Sequence, residues 1–473
     1  MPPPISRRSL LKTGAALAGT AATAAALPWL FPPKAAAFDR NTSGWQKNGA
    51  SDCPPLNESI QADVAIIGGG YTGLSTALHL AQIDPSQKIV ILEATQPGNG
   101  ASGRNGGMVL PQFGESMFET PDDYATLRKD YEITAKAIRS MQALAAKDGQ
   151  YCGLKLDGYC LAILDEDDLD HYRNYVAQTA KEGMKLELWD ADTTEEELGS
   201  PEFAGAIYDP NGGQIHPMRW LQVLWRAAEK SGAIIYGESP VTAIHEGQTI
   251  RLEIANGRGQ VEAKTIVLAT NAYTPALGYF QSRLMPVHAP TGITAPLSKQ
   301  QLASMGWESR LPFFDTRNFL YHLVLTDNNR IVVGGGSARY ELGGDLIYRG
   351  DPVADEKMML NDLARLYPNL KGLRFEKVWS GVMGITFDGG EGLGVTGEHD
   401  NIYYALGYNG HGIVMSYLFG EALANLYHGK LHPLQDTGHV NRPLAYIPPD
   451  PYRWIGATAN LAYLRWQDQE FFK

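Results

Sequence analysis

Apolar positions along this chain alternate between two patterns: short unbroken runs closed by glycine, and longer stretches with helical spacing. The first run is "ADVAIIGGG" (62–70), where Val64, Ala65, Ile66 and Ile67 predict a buried strand ending in a glycine turn. "GLSTALHLAQ" follows it, with Leu74, Leu78 and Ala81 on one helical face. "KIVILEA" (88–94) predicts a second short strand. Much later, "NIYYALGYNGHGIVMSYLFGEALANLY" repeats the scheme as strand, glycine loop and long apolar helix.

A second group of strands lies outside these units. "GLKLDGYCLAIL" (153–164), "PVHAPTGITAPL" (286–297) and "RIVVGGG" (330–336) are strand-like runs bounded by turns. "ADEKMMLNDLARLYPNL" (354–370) predicts a helix ending before Pro368 and lying across that sheet. The tail "NRPLAYIPPDPYRWIG" predicts extended chain, followed by a helix in "NLAYLRWQDQEFF". There is no internal repeat.

The first unit carries chemistry. Gly68, Gly70 and Gly73 stand at G-x-G-x-x-G spacing. The first allows a tight turn, the second admits a pyrophosphate to the backbone, and the third lets helix pack on strand. The phosphates then meet free N–H groups at a helix N-terminus. Glu93 ends the second strand 20 residues beyond Gly73, where a carboxylate reaches both ribose hydroxyls of an adenosine. The expectation is a dinucleotide site.

"GNGASGRNGG" (98–107) follows at once. So many small residues imply a backbone held close to a flat or charged group, with Ser102 and Arg104 as added donors. Here the chain resembles the FAD-dependent amine oxidoreductases of the D-amino acid oxidase, glycine oxidase and sarcosine oxidase family, and most of all their γ-glutamylputrescine oxidase branch. "GASGRNGG" is the most specific part of the likeness. "GGQIHP", "VTAI", "IVLATNAYT" (with Asn271 where glycine is commoner), "DTRNFLYHLVLTDNNRIVVGGG", "WSGVMGITFDGGEGLG" and "NIYYALGYNGHG" continue it in the family's order. The likeness implies FAD rather than NAD. A late glycine loop entering a helix would face the flavin ring and favour negative charge on it when reduced.

It also implies an α/β and α+β fold, a Rossmann-like FAD-binding domain interleaved with a substrate domain built on a mixed or antiparallel sheet. The expected FAD pieces are 60–150, 211–282 and 377–435. The substrate pieces are 151–210 and 283–376. An export signal (1–37), a linker (38–59) and a tail (436–473) complete the expected organisation. Expected cofactor contacts are Gly68, Gly70, Tyr71, Thr72, Gly73, Glu93, Ala94, Ser102, Arg104, Asn105, Gly106, Gly107, Val241, Ala269, Thr270, Gly381, Gly407, Gly410, His411 and Gly412.

Flavin amine oxidation needs little acid–base machinery. The neutral amine delivers a hydride from its α-carbon to flavin N5, and the imine hydrolyses to a carbonyl compound. The candidate catalytic residues are His411, Tyr321, His322 and Arg104. Tyr321 and His322 are neighbours on a presumed hairpin, so one of them points away. His216 is expected to cap or brace a turn, and Arg317 with Asp315 to form a buried structural pair. No carboxylate-binding arginine stands out, which favours an amine without an α-carboxylate. A 2-hydroxy-acid or polyol dehydrogenase, or a flavin-carrying binding component with little turnover, remains an open alternative.

Composition narrows the partners. The 473 residues carry a net charge of −12 and no basic stripe, which argues against a nucleic-acid partner. The first 37 residues hold Arg7, Arg8, Lys12 and Lys34 and no acid. "SRRSLLK", an alanine-rich apolar stretch and "AAAF" together form a twin-arginine export signal. The expected location is the periplasm or another exported compartment, with membrane association if the signal is kept. The expected partners are an amine, the translocase, and either O2 or a membrane or periplasmic electron acceptor. Cys53, Cys152 and Cys160 are too few for a disulfide framework, and pairing of the last two stays open. A late cysteinyl flavin link is excluded, a histidyl link is not, and non-covalent FAD is expected. No metal site is expected.

Overall fold

The computed structural model describes residues 42–46, 53–113, 118, 120–121, 123–257 and 259–470. The export signal falls outside them.

Two eight-stranded sheets organise the chain. In the first, Ile60–Ile67 lies between Gln260–Leu268 and Ile89–Leu92, parallel to both. Ile402–Leu406 and Ile234–Tyr236 extend it in parallel on either side. Val64, Ala65 and Ile66 are fully buried, as a strand covered on both faces demands. One face is covered by Tyr71–Ile83, which packs against Gly412–Tyr427 and Pro217–Lys230. The helices cross closely at Gly420, where a Cβ would meet Ser75 Oγ at 2.4 Å. Ser75 Oγ donates to the Tyr417 carbonyl across this crossing.

The second sheet runs in the order Phe375–Ile385, Met285–Thr294, Ile331–Gly335, Tyr321–Leu325, Phe313–Asp315, Tyr159–Ile163, Gly205–Asp209 and Glu187–Asp190. All its pairings are antiparallel except that of Phe313–Asp315 with Tyr159–Ile163. The helix Pro352–Leu366 crosses one face, with Met359, Leu363 and Leu366 in the core.

Four expectations change. Phe375–Ile385 pairs along its length with Met285–Thr294, so the chain leaves the second sheet after Ile385 rather than at 376. The last helix begins at Tyr452, earlier than its apolar pattern indicates. The linker holds Trp45, which is buried and donates its indole N–H to the Asn105 carbonyl at 2.8 Å. The pairing left open for Cys152 and Cys160 does not form: Cys53, Cys152 and Cys160 are buried free thiols, and Cys152 lies in a loop.

Candidate active site

A cavity of about 1400 Å³ runs between the sheets, from the first glycine turn to the last helix. At one end the chain turns at Gly68, whose φ of +109° suits glycine and whose Cβ would strike the Ala269 carbonyl. Gly73 lies beneath the turn. A Cβ there would overlap the Gly68 carbonyl, so Gly73 allows helix–strand contact and does not line the cavity. Glu93 Oε2 accepts the Gly69 N–H at 2.8 Å, and Oε1 accepts the Thr95 N–H at 2.9 Å. Burial pushes the Glu93 carboxyl up, and these N–H groups work against that shift. Ser102 Oγ accepts the Tyr71 N–H at the helix N-terminus. Thr72 Oγ1 and the Tyr408 hydroxyl are 2.7 Å apart.

The second glycine segment is braced from several directions. Asn105 donates to the Ala101 and Ser102 carbonyls and accepts the Gly107 N–H. Arg104 lines the cavity, but its guanidinium donates to the Asn99 and Ser380 carbonyls at 2.6 and 2.9 Å. The structure therefore makes Arg104 an anchor of the loop rather than a group aimed at substrate. Trp379 donates to the Arg104 carbonyl from the other side.

The late loop closes the opposite wall. His411 lines the cavity just before the helix Gly412–Tyr427, and its N–H donates to the Tyr408 carbonyl. Asn409 carries the bend with φ +48° and donates to the Gly407 and Gly389 carbonyls. Gly407 itself sits behind the cavity, because its N–H is taken by Asn271 Oδ1 and its Cα faces Thr386. It is thus a bracing position, not a lining one. Tyr71, Thr72, Ala94, Gly106, Gly107, Val241, Ala269, Thr270, Gly381, Gly410 and Gly412 all line the cavity.

Strand alternation separates Tyr321 from His322. Tyr321 points away from the cavity, under the Arg317 guanidinium at 4.1 Å from its ring. Arg317 is held by Asp315 and Asp362 beneath the loop. Burial alone opposes the Arg317 charge, and the two carboxylates more than offset it. His322 faces the cavity. Its imidazole lies between Gly106 and Gly334, where a Cβ would come within 2.1 and 2.3 Å of the ring. Its Nε2 is buried with no hydrogen-bond partner among the described residues. Burial, helped by the charge of His411, lowers its pKa to about 4, so the ring is neutral near pH 7. His216 accepts the Arg219 N–H through Nδ1 and caps the helix Pro217–Lys230.

One wall was not anticipated. Tyr452, Ile455, Ala459, Asn460 and Tyr463 of the last helix line the cavity. Arg453, Ala457, Leu461 and Leu464 line it too, so the lining positions spread around much of the helix and left no single apolar stripe for the sequence to show.

A turn with a carboxylate beneath it, opening into a deep and mostly apolar chamber, defines a dinucleotide-binding protein with room for a second, smaller ligand. The chain belongs to the DAO family of FAD-dependent oxidoreductases, whose model matches residues 63–426. It is 31% identical over 413 residues to a γ-glutamylputrescine oxidoreductase of Escherichia coli, covering 82% of this chain and 89% of that one. It is 26% identical to a glycine oxidase of Geobacillus kaustophilus, covering 80% and 98% of the two chains. The crystal structure of glycine oxidase from Geobacillus kaustophilus superposes with a TM-score of 0.67 at 22% identity, over 79% of this chain and 96% of that one. The residues fit FAD: the Glu93 carboxylate, the Gly68–Gly70 turn and the small-residue wall at 98–107 leave open the space a dinucleotide needs.

Proposed function

We propose that this protein is an exported FAD-dependent oxidoreductase that oxidises a primary or secondary amine, or an amino acid, to an imine that hydrolyses to a carbonyl compound. The observation that carries this reading is the neutral imidazole of His322 in a chamber whose one lining carboxylate among the described residues is Glu93, at the far nucleotide end. Hydride loss from carbon requires the amine unprotonated, with its lone pair available. A chamber without nearby carboxylates does not stabilise the ammonium form. His322 Nε2 is packed between Gly106 and Gly334, so the neutral ring is part of the chamber wall and adds no charge to it. Bound FAD supplies the two-electron acceptor. The Gly68–Gly70 turn, Glu93 and Ser102 would hold its nucleotide half, and Arg104 would keep the glycine wall rigid without a covalent link.

Anaerobic mixing of the yellow holoprotein with a broad panel of amines, amino acids and hydroxy acids tests this directly. Bleaching by an amine or amino acid is expected. Bleaching by hydroxy acids alone replaces the reading with a hydroxy-acid dehydrogenase, and no bleaching at all removes it.

Export rests on the Arg7–Arg8 pair and the stretch behind it. FAD is a cytoplasmic metabolite, and an enclosed dinucleotide must be loaded during folding, which suits a route for folded proteins. Lysine at both positions is expected to keep the flavoprotein in the cytoplasm on fractionation. Reoxidation with O2, compared with a membrane fraction, identifies the electron acceptor.

A further inference from the structure

The chain ahead of the first strand touches the dinucleotide site at two places. At the glycine wall, Trp45 donates its indole N–H to the Asn105 carbonyl at 2.8 Å, and Trp379 donates to the neighbouring Arg104 carbonyl at 2.9 Å. Both indoles lie in one buried cluster with Ile293, Val324 and Val332, behind the wall rather than in the cavity. At the end held by Glu93, the Gly237 N–H donates to the Pro54 carbonyl, and the Leu56 N–H donates to Ser239 Oγ at 2.8 Å. The Ser239 N–H in turn donates to the Glu93 carbonyl.

The contact at the glycine wall is closely built. Ser43 is fully buried, and its hydroxyl accepts the Trp45 N–H. Gly44 has no room for a side chain, because a Cβ would come within 2.4 Å of Ile293 and 2.7 Å of Trp379. Lys377 donates to Thr42 Oγ1. The Trp45 ring meets the ring of His216, which caps the helix Pro217–Lys230, edge-on at 4.8 Å.

A trans peptide directs its N–H opposite to its carbonyl. Two consecutive carbonyls held toward the indoles therefore turn the Asn105 and Gly106 N–H groups to the other side, where both residues line the cavity. Among the described residues neither N–H meets an acceptor. Adjacent N–H groups on one side form a concavity for an acceptor atom, and FAD carries several such atoms.

We infer that the segment 42–46 is part of the FAD site, with Trp45 a positioning residue that acts through the Asn105 carbonyl. Docking of this segment and binding of FAD then favour each other by the same factor. The inference rests on FAD binding and is independent of which substrate is oxidised.

The test titrates FAD into the apoprotein and follows quenching of flavin fluorescence. Trp45→Phe keeps a ring in place and removes the donor, and its Kd for FAD is expected to rise about fivefold. Trp189→Phe, whose ring stacks on Tyr208 in the outer strands of the second sheet, is expected to leave the Kd unchanged. A Trp45→Phe variant with a lower apoprotein Tm but an unchanged Kd and visible flavin spectrum has lost only structural packing, and that result overturns the inference. A second readout is trypsin cleavage after Arg40 and Lys47, which flank the segment. Rates are taken relative to cleavage after Lys371, an exposed loop residue beyond the helix Pro352–Leu366. Saturating FAD is expected to slow the two flanking cuts severalfold in the wild type and less in Trp45→Phe. Equal relative rates with and without FAD, or equal protection of the variant, overturn the coupling. If Trp45→Phe yields no folded apoprotein, the wild-type cleavage comparison decides alone.

Discussion

Glu93 reaches back across 24 residues to accept the Gly69 N–H at 2.8 Å, so the end of one strand holds the turn that follows another. The carboxylate proposed to meet the ribose also shapes the glycine turn between strand and helix. Glu93→Ala removes both functions. Hydrogen bonds to a charged group contribute roughly 1.5–3 kcal/mol, so FAD affinity is expected to fall by about tenfold or more. Flavin content after dialysis measures this, and an unchanged content would contradict the assigned role.

His322 makes the protein acid-sensitive. Its pKa falls from 6.5 to about 4 on folding, so below pH 6.5 the unfolded chain binds the proton more readily. Its contribution to stability is intact above pH 6.5 and lost progressively as pH falls toward 4. The loss by pH 4 is roughly 3 kcal/mol for a shift of this size. His322→Gln is expected to flatten the decline in Tm between pH 6.5 and 4. A parallel decline in both proteins would sink this assignment.

Gly334 tests the placement of the imidazole. A Cβ there would come within 2.3 Å of His322 Cε1 and 3.0 Å of Thr291 Oγ1. Gly334→Ala is expected to swing the ring aside, lowering kcat/KM about tenfold or more while FAD stays bound. Loss of flavin together with activity would instead point to a wider collapse.

Arg317 sits buried between Asp315 and Asp362. Asp315→Asn leaves the guanidinium short of a carboxylate and removes charge from the acceptor of the Tyr321 N–H. Breaking such a pair costs about 3–5 kcal/mol. A fall of several degrees in Tm is expected, and an unchanged melting curve would refute the pairing.

The strand–turn–helix unit was legible because its signals are local. Four consecutive apolar residues, three spaced glycines and one acid suffice to name it. The alternation at Tyr321 and His322 was legible too, but not its phase. That phase is set by Arg317 and its two carboxylates, which occupy the face Tyr321 shares. Arg104 looks from sequence like a ligand donor. The Asn99 and Ser380 carbonyls that claim it come from the fold, one of them 276 residues away. The division at 376 fell inside a strand because the partner, Met285–Thr294, is distant in sequence. The wall at Tyr452–Tyr463 stayed hidden because its inward face opens onto a chamber and its residues are mixed in polarity, so the pattern lacks a clean apolar stripe.

The chain passes from the first sheet to the second, back to the first, into the second again and home. Each sheet is thus assembled from segments that the other interrupts. No single cut yields two pieces that could each fold alone, so the flavin half cannot be expressed as a separate module. Melting should be one cooperative event, in which loosening either sheet releases the cofactor at the same moment.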